Sequence, residues 1–202
     1  MRAKDLTLIL ASTSPRRREL LGRFGLPFEV RAVEVEERPR PVETAEDYVR
    51  RMASDKSAQG LAMAPAGAAV LAADTEVALE GRIFGKPQGP EHAREMLERL
   101  SGRTHEVLSA VSLRYGGRHW EALSVSRVRF RAIGPEEIDA YWASGEPADK
   151  AGAYAIQGLG ELFVAELQGS FSGVMGLPLL ETARLLEHLG LGTARLLAGA
   201  AP

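Results

Sequence analysis

The 202-residue sequence contains no cysteine, which excludes disulfides, thiolate metal sites and a cysteine nucleophile and suits a reducing compartment. No stretch approaches the roughly 20 consecutive apolar residues needed to cross a bilayer. The opening MRAKDLTLILAS has two early cations but too few apolar residues for a secretory signal. A cytoplasmic protein with no membrane partner is the expectation. An excess of one charge is also missing, since 25 lysines and arginines face 27 aspartates and glutamates. With no global field to attract nucleic acid, any anion site must be local. The four histidines, His92, His105, His119 and His188, show no ligand spacing. There is no GxSxG, and GRIFGKP lacks both the length of a Walker loop and its following Ser or Thr. No internal repeat or long linker divides the chain, and with 45% hydrophobic residues it reads as one domain over residues 1–202, able to bury a sizeable core.

What is present begins with LILASTSPRRRELLGRFG. Residues 7–10 form an apolar strand pattern, and a helix follows near Pro15, a residue tolerated at a first helical position. Three arginines in that first turn oppose the helix dipole, so local stability does not explain them. PFEVRAV alternates as a second strand, and EVEERPRPVE is a polar loop. A long helix starts at Thr44, with Asp47 three places on as in a capping box, and runs to the break at 64–67. AAVLAAD predicts a central strand with its functional end at Asp74. TEVALEGRIFGKP reads as a hairpin turning at Glu80-Gly81, and residues 90–100 as a helix. Residues 104–133 give a two-strand meander turning at Gly116-Gly117, followed by helices over 135–144 and about 178–189 and a loosely held tail from about 190. The mixture predicts an α/β fold with a mixed, strongly twisted sheet flanked by helices.

Three polar clusters can carry chemistry. In the first, a strand that ends in Ser12, Thr13 and Ser14 and enters a helix offers free backbone N–H groups to phosphate oxygens, with Arg16 and Arg17 adding charge-assisted contacts. The same residues also fit a plain capped helix with solvated arginines. In the second, Asp74 can hold a divalent metal or take a proton from water, and Lys86 can reach a phosphate across the hairpin. A turn cap and a solvated lysine are the bland alternatives. In the third, DKAGAYAIQGLG, glycines around Lys150, Tyr154 and Gln157 allow close backbone approach to a ligand, and the Gln157 amide can pair with a base edge; a bulged strand uses glycine equally. Glu36 and Glu37 can supply second metal ligands, and Lys56 a phosphate contact, although solvated roles suit all three.

Taken together, ASTSPRRRELL, ADTEVALEGRIFGKP, MLERLSGRTHEVLSAV, SGEPADKAGAYAIQGLGELFV and GSFSGVMGLPL resemble, in order from about residue 8 to 189, the Maf family of nucleoside triphosphate pyrophosphatases. The resemblance implies a fold of two lobes with a central cleft, like that of the inosine triphosphate pyrophosphatases. It also implies hydrolysis of a nucleoside triphosphate to the monophosphate and pyrophosphate. Asp74 matches the catalytic carboxylate; Glu37, Lys56 and Lys86 match polar residues lining the cleft; Arg16, Thr75 and Gln157 match positions of base selection. AYAIQG is similar to the branch acting on dTTP and UTP, whereas the branch acting on 7-methyl-GTP usually carries glutamate in place of the glutamine. A glutamine offers a donor and an acceptor to thymine or uracil, while glutamate offers only acceptors. Glu76 stands where the family commonly has an apolar residue, and Ala155 where it has glycine.

The expected mechanism places the triphosphate between the turn carrying Ser12, Ser14, Arg16 and Arg17 and the side chain of Lys86. A divalent cation, Mg²⁺ by expectation, joins its oxygens to Asp74 and Glu37, and Asp74 directs a water at the α-phosphorus. The partners expected are a nucleoside triphosphate and no nucleic acid, with a homodimer left open. Two other functions fit the same residues: a nucleotide-binding regulator of cell division without catalysis, and a pyrophosphatase for other modified nucleotides such as 7-methyl-GTP.

Overall fold

The computed structural model describes residues 6–199; Arg2 and Lys4 of the opening stretch and the last three residues of the tail lie outside them. Seven strands form one mixed sheet in the order β2, β1, β3, β5, β6, β7, with β4 paired to β3. β1 (Leu8–Leu10) lies parallel to β2 (Glu29–Val30) and to β3 (Ala69–Leu79). β3 then pairs antiparallel with β4 (Arg82–Ile83) and β5 (Thr104–Tyr115). β6 (Arg118–Phe130) and β7 (Val164–Gln168) complete the antiparallel side. The β5–β6 hairpin turns at Gly116 and Gly117 as read from the sequence, both with positive φ, which suits the right-handed strand twist.

The helices divide between the two faces of the sheet. α2 (Ala45–Ala62) lies over Ile9, Val70 and Ala72 and over Ala78, Leu108 and Ala110. It begins as its sequence requires, Thr44 Oγ1 accepting from the Asp47 N–H at 3.1 Å and donating to Asp47 Oδ2 at 2.7 Å. On the other face, α1 (Pro15–Gly22), α3 (Pro90–Leu100), α4 (Pro135–Ala143) and α6 (Leu179–Glu187) bury Leu21, Leu97, Ile138 and Leu186 against Leu10, Leu71, Val111 and Phe130. Two short helices, α5 (Phe171–Met175) and α7 (Thr193–Gly199), were not read from the sequence; α7 lies in the expected tail and buries Leu196. Among the described residues no helix is long and apolar enough to cross a membrane.

α2 presents Tyr48, Met52, Lys56 and Gly60 at successive fourth positions on its buried stripe. A Cβ on Gly60 would lie 2.8 Å from Ala11 Cβ and 2.9 Å from Val70 Cγ1, so this glycine sets how closely α2 approaches β1 and β3. Gly60→Ala is expected to destabilise the protein by about 1–3 kcal/mol through overpacking, outweighing the helix-propensity gain of about 1 kcal/mol. Thermal unfolding of the variant checks this, and an unchanged or raised midpoint would contradict the close approach.

Three expectations need correction. β3 does not end at Asp74 but runs five residues further, to Leu79, because β5 pairs with it continuously from Val70 to Ala78. PFEVRAV yields only the two-residue edge strand β2. The bulged strand that is the alternative reading of the third cluster does not form: 3₁₀ turns at Ala151–Ala153 and Leu159–Phe163 occupy it, with left-handed φ values at Gly152 and Ala153.

Candidate functional site

The opening in the sheet makes the site. One edge of β3 pairs with β1 as far as Leu71 and with β4 from Ala78 onward. Between them, β3 has no strand partner on that edge among the described residues, and Asp74, Thr75 and Glu76 border a cavity of about 350 Å³. Successive strand side chains alternate, so Asp74 and Glu76 project toward α2 while Thr75 projects toward α1 and α5. Among the residues singled out from the sequence, Ser12, Ser14, Arg16, Arg17, Glu37, Lys56, Asp74, Thr75, Lys86 and Gln157 line this one cavity, as do Thr13, Lys150 and Tyr154. Glu36 does not line it.

On the α1 side, the capping role of the serines is real. Ser14 Oγ accepts from the Arg17 N–H at 3.5 Å and Ser12 Oγ from the Ser14 N–H at 3.2 Å. The arginines, however, are not simply solvated. Arg17 donates through Nε to the Gly176 carbonyl at 2.9 Å and through a terminal nitrogen to Thr75 Oγ1 at 3.4 Å. Thr75 Oγ1 meets Ser109 Oγ at 2.8 Å, and Ser109 donates to the Gly173 carbonyl at 2.6 Å. This chain of contacts fastens α5 to β3 and aims the arginine fork at the cavity. Burial lowers the Arg17 pKa, opposed by the carboxylate of Asp74. Arg16 reaches across to Asp149 at 3.6 Å.

On the α2 side, Lys56 Nζ bridges two acids, 2.5 Å from Glu37 Oε1 and 2.7 Å from Asp74 Oδ1. Its place on the buried stripe, with its side chain only 10% exposed, excludes the ordinary solvated role. Glu37 is partly desolvated, which raises its pKa, but the Lys56 hydrogen bond and the charges of Lys56, Lys86 and Arg17 hold it below the usual carboxylate range. Lys86 is mostly exposed and lies 3.9 Å from Glu37 Oε2. Burial, then the nearby Asp74 charge, pushes Glu76 up to about 8, although its carboxylate accepts from the Gly85 N–H. Burial and the same two carboxylates also raise the phenol of Tyr48 above its ordinary value.

Asp74 has its side chain 9% exposed, and its Oδ2 is buried without a hydrogen-bond partner, as is Glu76 Oε2. Gln157, also in the cavity lining, is exposed, and its amide makes no hydrogen bond among the described residues. Ala155 carries no backbone strain: its φ is not positive, and its N–H donates to Tyr141 Oη at 3.0 Å.

Two acidic cavity residues were not among the candidate site residues. Asp149 sits in a glycine- and proline-rich turn and looks like a solvated acid; only its partner Arg16, 133 positions away, reveals its place. Glu76, noted only as a departure from a pattern, faces the cavity beside Asp74. The signal was present in the two-residue spacing along a strand. In sum, Arg16, Arg17, Lys56, Lys86 and Lys150 meet Glu37, Asp74, Glu76 and Asp149. Glu76 is largely protonated near neutral pH, so five cations face three anions and the acids offset only part of the positive charge before any ligand arrives.

The family model for Maf-like proteins matches residues 7–189. A dTTP/UTP pyrophosphatase of Methylococcus capsulatus is 86% identical over 202 residues, covering 100% of both chains. A dTTP/UTP pyrophosphatase of Myxococcus xanthus is 53% identical over 192 residues, covering 95% of this chain and 96% of its own. A solved structure of a nucleoside-triphosphatase / dITP/XTP pyrophosphatase from Mycobacterium abscessus aligns with 95% of this chain and 98% of its own, at 18% identity and a TM-score of 0.44.

Proposed function

The chain belongs to the Maf-like family, and we propose that it hydrolyses dTTP and UTP to the nucleoside monophosphate and pyrophosphate, the activity for which its relatives at 86% and 53% identity are named. The observation that carries this reading is the Asp74 carboxylate, nine-tenths buried, with one oxygen fixed by Lys56 and the other unpartnered, facing the arginine-rich turn across one cavity.

A carboxylate has about four lone-pair sites. Lys56 takes one at Oδ1, which fixes the plane of the group, and Oδ2 keeps both of its own for a water proton and a further electrophile. Asp74 is thereby suited to orient water and accept its proton at Oδ2 as attack on the α-phosphorus proceeds. Arg16, Arg17 and Lys86 grip the polyphosphate, and Gln157 pairs with the pyrimidine edge through an amide that no protein group occupies. Lys56 holds Asp74 in place and lowers the repulsion between acid and phosphate.

The cavity's cations are partly offset by Glu37, Asp74 and Asp149, which favours a triphosphate that arrives with a divalent cation, Mg²⁺ in this reading. The donor chemistry fits: Asp74 offers an orphaned hard oxygen, and Mg²⁺ is commonly held by one or two carboxylates plus substrate phosphates. Asp74 would hold the ion, with Glu37 joining once it parts from Lys56 and Lys86. When bound, it supplies positive charge to the triphosphate and to the pyrophosphate leaving group.

Pyrophosphate release measured over a panel of nucleotides with and without Mg²⁺ tests the reading. dTTP and UTP should be the best substrates and release should require the cation; binding without release would favour a non-catalytic regulator, and preference for 7-methyl-GTP a different base pocket. Gln157→Ala is expected to lower kcat/KM for dTTP about tenfold, as for the loss of one or two hydrogen bonds of about 1 kcal/mol each. Most of that loss should lie in KM.

A further inference from the structure

Asp74 and Glu76 stand two residues apart on β3 and project from the same face, their Cα atoms about 6.5 Å apart. Side chains so spaced can lean on a single ion between them. Asp74 Oδ1 accepts from Lys56, and the carboxylate of Glu76 accepts from the Gly85 N–H. This leaves Asp74 Oδ2 and Glu76 Oε2, both buried and both without a partner. Two buried carboxyl oxygens that lack partners, on neighbouring side chains bordering one cavity, are costly unless a cation or donor arrives to meet them.

Glu37 is placed differently. Its Oε1 lies 2.5 Å from Lys56 Nζ and its Oε2 3.9 Å from Lys86 Nζ, so each of its oxygens already faces a lysine. Its side chain is also 46% exposed, so water can satisfy it.

We infer that Glu76, through Oε2, is a protein ligand, beside Asp74, for the divalent cation that accompanies the triphosphate. The inference rests on the hydrolytic reading above and refines it. Among the described residues no three acidic or imidazole side chains are grouped to enclose an ion. Asp74 and Glu76 therefore need phosphate oxygens and water to complete the coordination, Glu37 joining only once it parts from its lysines, and the cation enters with the nucleotide. With Glu76 sharing the ion, Asp74 keeps lone-pair capacity for the water.

The test uses α,β-imido-dTTP, an unreactive analogue, titrated calorimetrically into the full-length protein either with Mn²⁺ or with EDTA. The ratio of the two affinities is the metal-dependent gain, a linkage quantity independent of turnover. Glu76→Gln retains an oxygen for the Gly85 N–H but removes the anion, and it should shrink that gain about tenfold. In EDTA its affinity should equal or exceed the parent's, since glutamine brings no negative charge beside the triphosphate. Glu76→Val should change the gain in the same direction, which keeps the test usable if one variant folds poorly.

A gain of parental size in both variants overturns the inference, as does a parallel loss of affinity with and without Mn²⁺, which would mark a structural role only. Asp74→Asn separates this failure from failure of the hydrolytic reading. If it abolishes the gain while Glu76→Gln preserves it, Glu76 alone is misassigned. If neither variant alters the gain, the carboxylate-anchored cation falls with it.

Discussion

Replacing Asp74 with asparagine lowers kcat for dTTP about 10²–10⁴-fold, the usual contribution of a positioned general base, while the folded structure persists. The argument is electrostatic as well as chemical. Asparagine still offers an oxygen to Lys56, but it can no longer take a proton from water. The fold survives because Lys56 keeps a second acidic partner, Glu37 at 2.5 Å, and because loss of the Asp74 charge relieves the neighbouring Glu76. Lys56→Met provides the contrast. It leaves Asp74 nine-tenths buried with neither oxygen paired, so both activity and stability should fall, the latter by about 3–5 kcal/mol as when one partner of a buried pair is removed. Steady-state kinetics beside urea unfolding distinguish the two variants. A parental rate in Asp74→Asn would falsify the role assigned to this carboxylate.

Much of this site was legible because its residues sit at local punctuation: hydroxyl residues between a strand and Pro15, an acid after an apolar run, a lysine between glycine and proline. Helix starts were equally local, as the Thr44 cap of α2 shows. What local pattern does not carry is which strands run side by side. Asp74 reads as a strand end because a carboxylate stops an apolar run, yet β5 keeps β3 going to Leu79. The opening beside Asp74 arises instead from β1 and β4 leaving part of β3's edge uncovered. That depends on β1, far earlier in the chain, and on where the β3–β4 hairpin stops pairing. Long-range pairs are hidden for the same reason: Arg17 meets the Gly176 carbonyl 159 residues away. Lys56, by contrast, was recoverable, since Tyr48, Met52 and Gly60 share its stripe at helical spacing.

Acid is expected to weaken the fold through His105. This residue of β5 is 1% exposed and packs edge-on against Phe130, with ring centroids 4.8 Å apart, and against Tyr154 at 5.5 Å. Its Nε2 lies 2.9 Å from Tyr154 Oη, while Nδ1 is buried with no partner. Burial drives the Tyr154 phenol above its ordinary value, so the phenol keeps its proton and shares one hydrogen bond with Nε2 of the neutral ring. A second proton would bring charge into an apolar setting, and this desolvation alone pushes His105 down to about 4. The unfolded chain binds that proton near pH 6.5. Stability is therefore fully present above about pH 6.5 and is lost as pH falls toward 4, on the order of 3 kcal/mol in all. Urea unfolding at pH 7.5 and 4.5 measures the loss, and His105→Gln should flatten it by about 2–3 kcal/mol relative to the parent. Equal pH dependence in both proteins would contradict the buried neutral imidazole. The consequence reaches the site because Tyr154 lines the cavity that holds Gln157. Charging the ring behind Tyr154 disturbs that wall, so nucleotide affinity should decline in the same acidic window in the parent and less in the variant.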